Sequence, residues 1–172
     1  MRPSQTRAGD VYRFSAESID GKPVDLASYR GSVLLIVNVA SRCGNTPQYA
    51  DLQKIHDQYR QAGLVVLGFP ANDFGLQEPG TNAEIRAFCQ AQFGVTFPMF
   101  AKIHVKGPQQ HPLYAWLTDP SIHPDTGGEI PWNFAKFLIG RDGRVVARFE
   151  PKTRPLDPQV VQAVQAALEA GG

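Results

Sequence analysis

Val33-Leu34-Leu35-Ile36-Val37-Asn38-Val39-Ala40-Ser41-Arg42-Cys43-Gly44-Asn45-Thr46-Pro47-Gln48-Tyr49 decides how the rest of the chain is read. Its first seven residues are an apolar, β-branched run of strand length, the pattern of a strand buried on both faces at the centre of a sheet with parallel pairing. Thr46 is a good helix N-cap and Pro47 suits the first helical position, so a helix is expected to start just after the cysteine. Cys43 then lies between a strand's carboxyl end and a helix's amino end, where free N–H groups and the helix dipole favour an anion. That is a place for a thiolate.

Outward from this stretch, a second apolar strand is expected at Leu64–Phe69, after a helix running from Pro47 to about Gln61 and stopped by Gly63. The Pro70–Gly80 loop leaves the carboxyl end of that second strand, the edge where sites collect in open α/β sheets. Thr81 and Glu84 have capping-box spacing and open a helix through Phe88, Cys89 and Phe93, ended by Gly94. Before the first of these strands, Tyr12–Ala16 and Lys22–Leu26 flank Asp20-Gly21 as a hairpin. After them come short extended pieces at Val95–Phe100 and Ile103–Val105, a short helix at Leu113–Leu117 and a Pro- and Gly-rich loop from Thr118 to Pro131. A second hairpin follows, Phe137–Ile139 with Val145–Phe149 around Asp142-Gly143. A final helix is capped by Asp157, begun by Pro158 and striped with Val160, Val161, Val164, Ala167 and Leu168. The order fits an α/β, thioredoxin-like fold: a central mixed sheet flanked by helices, with an N-terminal β-hairpin.

At 172 residues without a linker or repeat, one domain over residues 1–172 is expected, with residues 1–9 as a loose tail. Lys and Arg number 17 against 16 Asp and Glu, so no electrostatic feature points to nucleic acid. No run approaches the roughly 20 apolar residues of a membrane span, and the first residues lack an apolar signal core. Two cysteines are no secreted disulfide framework, so a cytoplasmic setting is expected. His56, His104, His111 and His123 are scattered without ligand spacing, so neither a metal nor another cofactor is expected.

Most free cysteines are inert core residues, and position is what distinguishes Cys43. A thiol with a pKa near 8.5 is about 3% ionised at pH 7, and one lowered to about 6 is about 90% ionised, roughly a thirtyfold gain. Arg42 either adds positive potential there or is a solvated loop charge. Thr46 stands where a thioredoxin has its second cysteine, so local dithiol exchange is excluded. Ala40 replaces the threonine that precedes a peroxiredoxin's reactive cysteine, and Pro47 the second cysteine of copper carriers of this fold.

Val37–Gly44, Thr46–Tyr49, Gly68–Asn72, Phe74–Gly80, Val95–Phe100 and Trp132–Leu138 together closely resemble the glutathione peroxidase family, from about residue 10 to 168. The resemblance implies that Cys43 is the peroxidatic cysteine, where some animal relatives have selenocysteine, and that Gln77, Trp132 and Asn133 are its companions. Chemistry agrees, because a thiolate attacking an O–O bond expels a poor leaving group unless something donates to it, and carboxamide and indole N–H groups donate without carrying charge. One well-placed donor supplies about 10²–10³ in rate, more than the thirtyfold of ionisation. By the same resemblance Cys89 is the resolving cysteine of relatives that recycle through an internal disulfide. A disulfide needs Cα atoms within about 7 Å, so the helix around Cys89 is expected to unwind locally.

Ala71 and Asp73 depart from the family pattern, where a further cysteine and a glutamine are common. The short segment before Trp132 implies a monomer, and the lack of a basic cluster, with Cys89, favours thioredoxin over glutathione as reductant. The implied activity is reduction of hydrogen peroxide or organic hydroperoxides in an oxidative stress response. An alternative is a thiol redox sensor or relay that passes the oxidation to a client protein.

Overall fold

The computed structural model describes residues 9–171, so all of the expected N-terminal tail but Gly9 lies outside the described residues. Strands β1 (Ser15–Glu17) and β2 (Pro23–Asp25) pair antiparallel, and Gly21 takes φ +88° in the turn between them. This hairpin is shorter than the sequence suggests. Tyr12 sits instead in a 3-10 turn over Val11–Arg13, because the Asp10 carboxylate accepts from its N–H (3.0 Å) and its own hydroxyl donates to Arg141 O (3.0 Å).

β3 (Val33–Val39) is buried along all seven residues, each large apolar side chain contributing about 1.5–3 kcal/mol to folding. Helix α1 (Gln48–Tyr59) leads to β4 (Leu64–Pro70), α2 (Asn82–Phe93) and the short α3 (Pro112–Thr118). β5 (Lys136–Ile139), β6 (Val145–Phe149) and α4 (Pro158–Glu169) close the described chain. The main sheet has the order β4-β3-β5-β6, with β3 and β4 parallel and the β3–β5 and β5–β6 pairs antiparallel. It is the thioredoxin-like mixed sheet with its N-terminal hairpin.

Alternation along β3 divides the interior in two. Val33, Leu35, Val37 and Val39 pack with Leu52 and Ile55 of α1 and Val160 and Val164 of α4. Leu34 and Ile36 face the other way, toward Leu113, Tyr114 and Leu117 of α3.

The sheet also determines where the site is built. Because β3 and β4 are parallel, the loops that follow them leave from one edge. Because β5 runs antiparallel to β3, with Val37 opposite Lys136, the residues that precede β5 arrive at that same edge. Residues 40–47, 71–80 and 131–135 therefore meet there.

Helix ends follow the expected chemistry at α2 and α4. Thr81 Oγ1 accepts from Glu84 N and Glu84 Oε1 from Thr81 N, a complete capping box. Asp157 Oδ1 accepts from Gln159 N at 2.9 Å, with Pro158 first in the helix. At α1 the expectation is corrected. The helix begins at Gln48, and Thr46 turns back into the loop, accepting from Cys43 N (2.9 Å) and donating to Ala40 O (2.8 Å). A buried hydroxyl satisfies two main-chain groups this way, where as a cap it would satisfy one. Overlapping turns from Cys43 to Tyr49 fill the interval, so Cys43 precedes the helix rather than sitting in its first turn.

Candidate active site

Cys43 keeps 8% exposure, and its sulfur accepts a hydrogen bond from the main-chain N–H of Asn45 at 3.3 Å. Among the described residues this is the hydrogen bond that reaches Sγ. The N–H found at the sulfur thus comes from the turn ahead of the helix and not from the helix end.

Asn45 is also the first step of a chain of contacts. Its Nδ2 donates to Asn133 O at 3.4 Å, and Asn133 Nδ2 donates to Gln77 Oε1 at 2.9 Å. With its oxygen engaged by Asn133, Gln77 has its Nε2 hydrogens left to offer. The Arg42 N–H donates to Gln77 O at 3.0 Å, which ties the Gln77 loop to the Cys43 loop, and the Arg42 side chain itself is exposed.

Trp132 is 39% exposed, and its ring packs against Phe74 at 5.7 Å. A side chain at Gly75 would meet the indole at 3.2 Å and the Gln77 side chain at 3.5 Å, so Trp132 and Gln77 lie together over that glycine. Three of the expected residues, Gln77, Trp132 and Asn133, are brought together, and Asn45 bonds both the Cys43 sulfur and the Asn133 carbonyl.

Asn38 and Glu78 support this arrangement without having been assigned a role from sequence. Asn38 is fully buried in β3; its Nδ2 donates to Trp132 O (3.2 Å) and its carbonyl accepts from Phe134 N (2.7 Å). A polar residue inside an otherwise apolar run was the available signal. Glu78, 1% exposed, accepts from Ser41 N at 3.2 Å through Oε1. Burial raises its carboxyl pKa, an effect that contact with Ser41 partly offsets. Lys102 Nζ donates to the carbonyls of Glu78 and Gly80, anchoring the end of the loop.

Cys89 is a free thiol, 1% exposed, on the buried face of an intact α2. Burial pushes it up to about 11, opposed by the neighbouring Tyr49 hydroxyl and reinforced by the Glu78 charge. In this conformation it is a protonated, shielded thiol at neutral pH. The Asp73 carboxylate is engaged by other partners, one oxygen on His104 Nδ1 and the other on Val105 N, both at 2.7 Å.

Among the described residues no three His, Cys, Asp or Glu side chains form a group able to hold a metal. No helix there is long and apolar enough to cross a membrane. A cavity of about 670 Å³ lies under α4, far from this edge of the sheet, but its lining is mostly alanine and glycine. Its cation, Arg141, is already bound to the carbonyls of Gly31, Ala62 and Leu168. The chemistry-bearing groups are at Cys43 instead.

The family model for glutathione peroxidase matches residues 11–118. The hydroperoxy fatty acid reductase gpx1 of Synechocystis is 50% identical over 150 residues, 84% of this chain and 89% of the relative. The thioredoxin/glutathione peroxidase BtuE of Escherichia coli is 44% identical over 171 residues, 88% of this chain and 93% of the relative. The crystal structure of T. cruzi GPX1 is 36% identical with a TM-score of 0.72, covering 93% of this chain and 97% of that one. A thioredoxin family thiol:disulfide interchange protein from Chlorobium tepidum, 18% identical, shares the fold at a TM-score of 0.66, covering 90% of this chain and 92% of that one.

Proposed function

The chain belongs to the glutathione peroxidase family, an oxidoreductase family, and on that premise we propose that it reduces hydrogen peroxide and organic hydroperoxides through Cys43 and is recycled by thioredoxin. The observation that carries this reading is the run of contacts from Cys43 Sγ through Asn45 and Asn133 to Gln77, with Trp132 alongside.

Cys43 thiolate attacks one peroxide oxygen, the O–O bond breaks, and an S–O bond forms. The departing hydroxide or alkoxide takes up a proton as water or alcohol while Gln77, Trp132 and Asn133 hydrogens stabilise its charge. Cys43 is left as a sulfenic acid. Cys89, deprotonated once α2 opens, attacks that sulfur, forms the Cys43–Cys89 disulfide and releases the oxygen as water. A reductant dithiol then returns two electrons by exchange and becomes a disulfide itself.

Thioredoxin is favoured because Cys89 offers an internal disulfide for it to attack, and a relative's name pairs thioredoxin with glutathione. The protein acts as a single-domain monomer in the cytoplasm, within an oxidative stress response. The test is NADPH consumption with thioredoxin and thioredoxin reductase, compared with glutathione and its reductase. Sustained turnover with thioredoxin, lost in Cys43→Ser and replaced by over-oxidised Cys43 in Cys89→Ser, is the expected result. A single stoichiometric oxidation followed by stable disulfides to other proteins would overturn it in favour of a relay.

A further inference from the structure

Lys136 stands one residue into β5, wholly buried, and its ammonium donates to three main-chain carbonyls: Phe134 O at 2.7 Å, Pro151 O at 3.1 Å and Glu150 O at 3.4 Å. An ammonium has three donors and no acceptor, so these carbonyls match its full capacity. We propose that Lys136 is a positioning residue for the peroxidase site, fixing the Trp132–Asn133–Phe134 turn against the segment that also anchors the start of α1. The proposal rests on the reading of Asn133 and Trp132 as donors to the reacting oxygens.

The turn needs such a hold. Phe134 has φ +72°, a left-handed conformation that a bulky residue keeps only when its surroundings over-determine it. Its N–H is fixed from one side by Asn38 O at 2.7 Å, and its carbonyl from the other by Lys136. Those two bonds set the direction in which the preceding residue, Asn133, presents its carboxamide to Gln77 and its carbonyl to Asn45.

The third point of the junction is Pro151 O, which accepts from Lys136 and also from Gln48 Nε2 at 2.8 Å. Gln48 is the first residue of α1, directly after the turns that carry Cys43. Lys136 thus joins the Asn133 turn, the chain leaving β6 and the segment downstream of Cys43. β6 ends at Phe149, which pairs with Lys136. Burial lowers the lysine's pKa to about 7, opposed by the Glu150 charge. Such desolvation is tolerated here because every ammonium hydrogen is taken.

Two single-turnover rates separate positioning from mere structure. Peroxide oxidation of Cys43 needs donors to the departing oxygen, whereas alkylation of Cys43 by iodoacetamide, followed by peptide mass mapping, expels iodide and needs none. Lys136→Met is expected to lower the ratio of peroxide rate to alkylation rate by about 10²-fold, the effect of misplacing a reacting group by roughly 1 Å. In an Asn133→Ala background, which itself lowers the ratio, Lys136→Met is expected to lower it by less than it does alone, since only Trp132 is then left to be misplaced. If Lys136→Met fails to fold by near-ultraviolet circular dichroism, Lys136→Gln, which keeps a shorter N–H donor, is measured in the same way.

An unchanged ratio in the lysine variant, or a full multiplicative loss on top of Asn133→Ala, overturns the positioning role while leaving the donor reading intact. A ratio unchanged by Asn133→Ala overturns the donor reading, and the proposal with it.

Discussion

Thr46 holds the Cys43 backbone from within its own loop, one hydroxyl serving a buried N–H and a buried carbonyl at once. Thr46→Val keeps the shape and removes both bonds, leaving the Cys43 N–H unpaired. The expected cost is about 1–3 kcal/mol in urea unfolding, with Thr46→Ser close to the parent protein. Cys43 stood out in the sequence by its place after an apolar run, whereas Gln77, Trp132 and Asn133 came forward as what the family resemblance implies. Asn45 was readable in neither way, since what it gives the sulfur is a main-chain N–H that almost any residue would provide. Glu78 and Lys136 were missed for another reason: a charged residue next to a loop or inside a short strand reads as solvated, and only tertiary packing shows it buried.

Among the elements, α2 is the one whose behaviour the proposed cycle depends on. It is ended by Gly94 at φ +57°, opened by a complete capping box and intact around Cys89. If local opening of α2 precedes disulfide formation, weakening its cap should speed that step. Thr81→Ala removes about 1 kcal/mol of helix stability, which raises the open population by roughly fivefold. Rapid-quench measurement of the Cys43–Cys89 disulfide after a peroxide pulse should therefore show about a fivefold faster resolving step, with sulfenic acid formation unchanged. An unaltered resolving rate would mean that α2 need not open. The boundaries of β3 and the start of α4 were legible because an apolar run interrupted by Asn38 alone and an Asp-Pro start leave little competition. The start of α1 was not, because Thr46 had two possible uses and the sequence does not reveal which partners lie within reach.

For the whole molecule, the buried lysine gives stability a pH signature. Its folded pKa of about 7 lies below the ordinary 10.5, so between those values the unfolded chain holds a proton that the folded chain has shed. Stability then rises with pH as the folded lysine loses its charge. Cys89 works in the opposite sense above about pH 9, since its folded pKa is raised to about 11 and the unfolded thiol ionises first. Urea midpoints should accordingly climb from pH 7 to 8.5, and Lys136→Met should flatten that climb. A climb that persists undiminished in the variant would assign it to another group. The fold class was legible from the order of elements, but the meeting of three loops depends on β5 running antiparallel to β3, a property of pairing that no local pattern encodes.

That reversal of β5 has a consequence in time. Asn45 and Asn133 are 88 positions apart, so a ribosome makes Cys43 and Asn45 long before it makes the turn that Asn45 bonds to. A nascent chain carries an isolated cysteine, and the contacts that run from it through Asn45 and Asn133 to Gln77 can form only once β5 has slotted in beside β3.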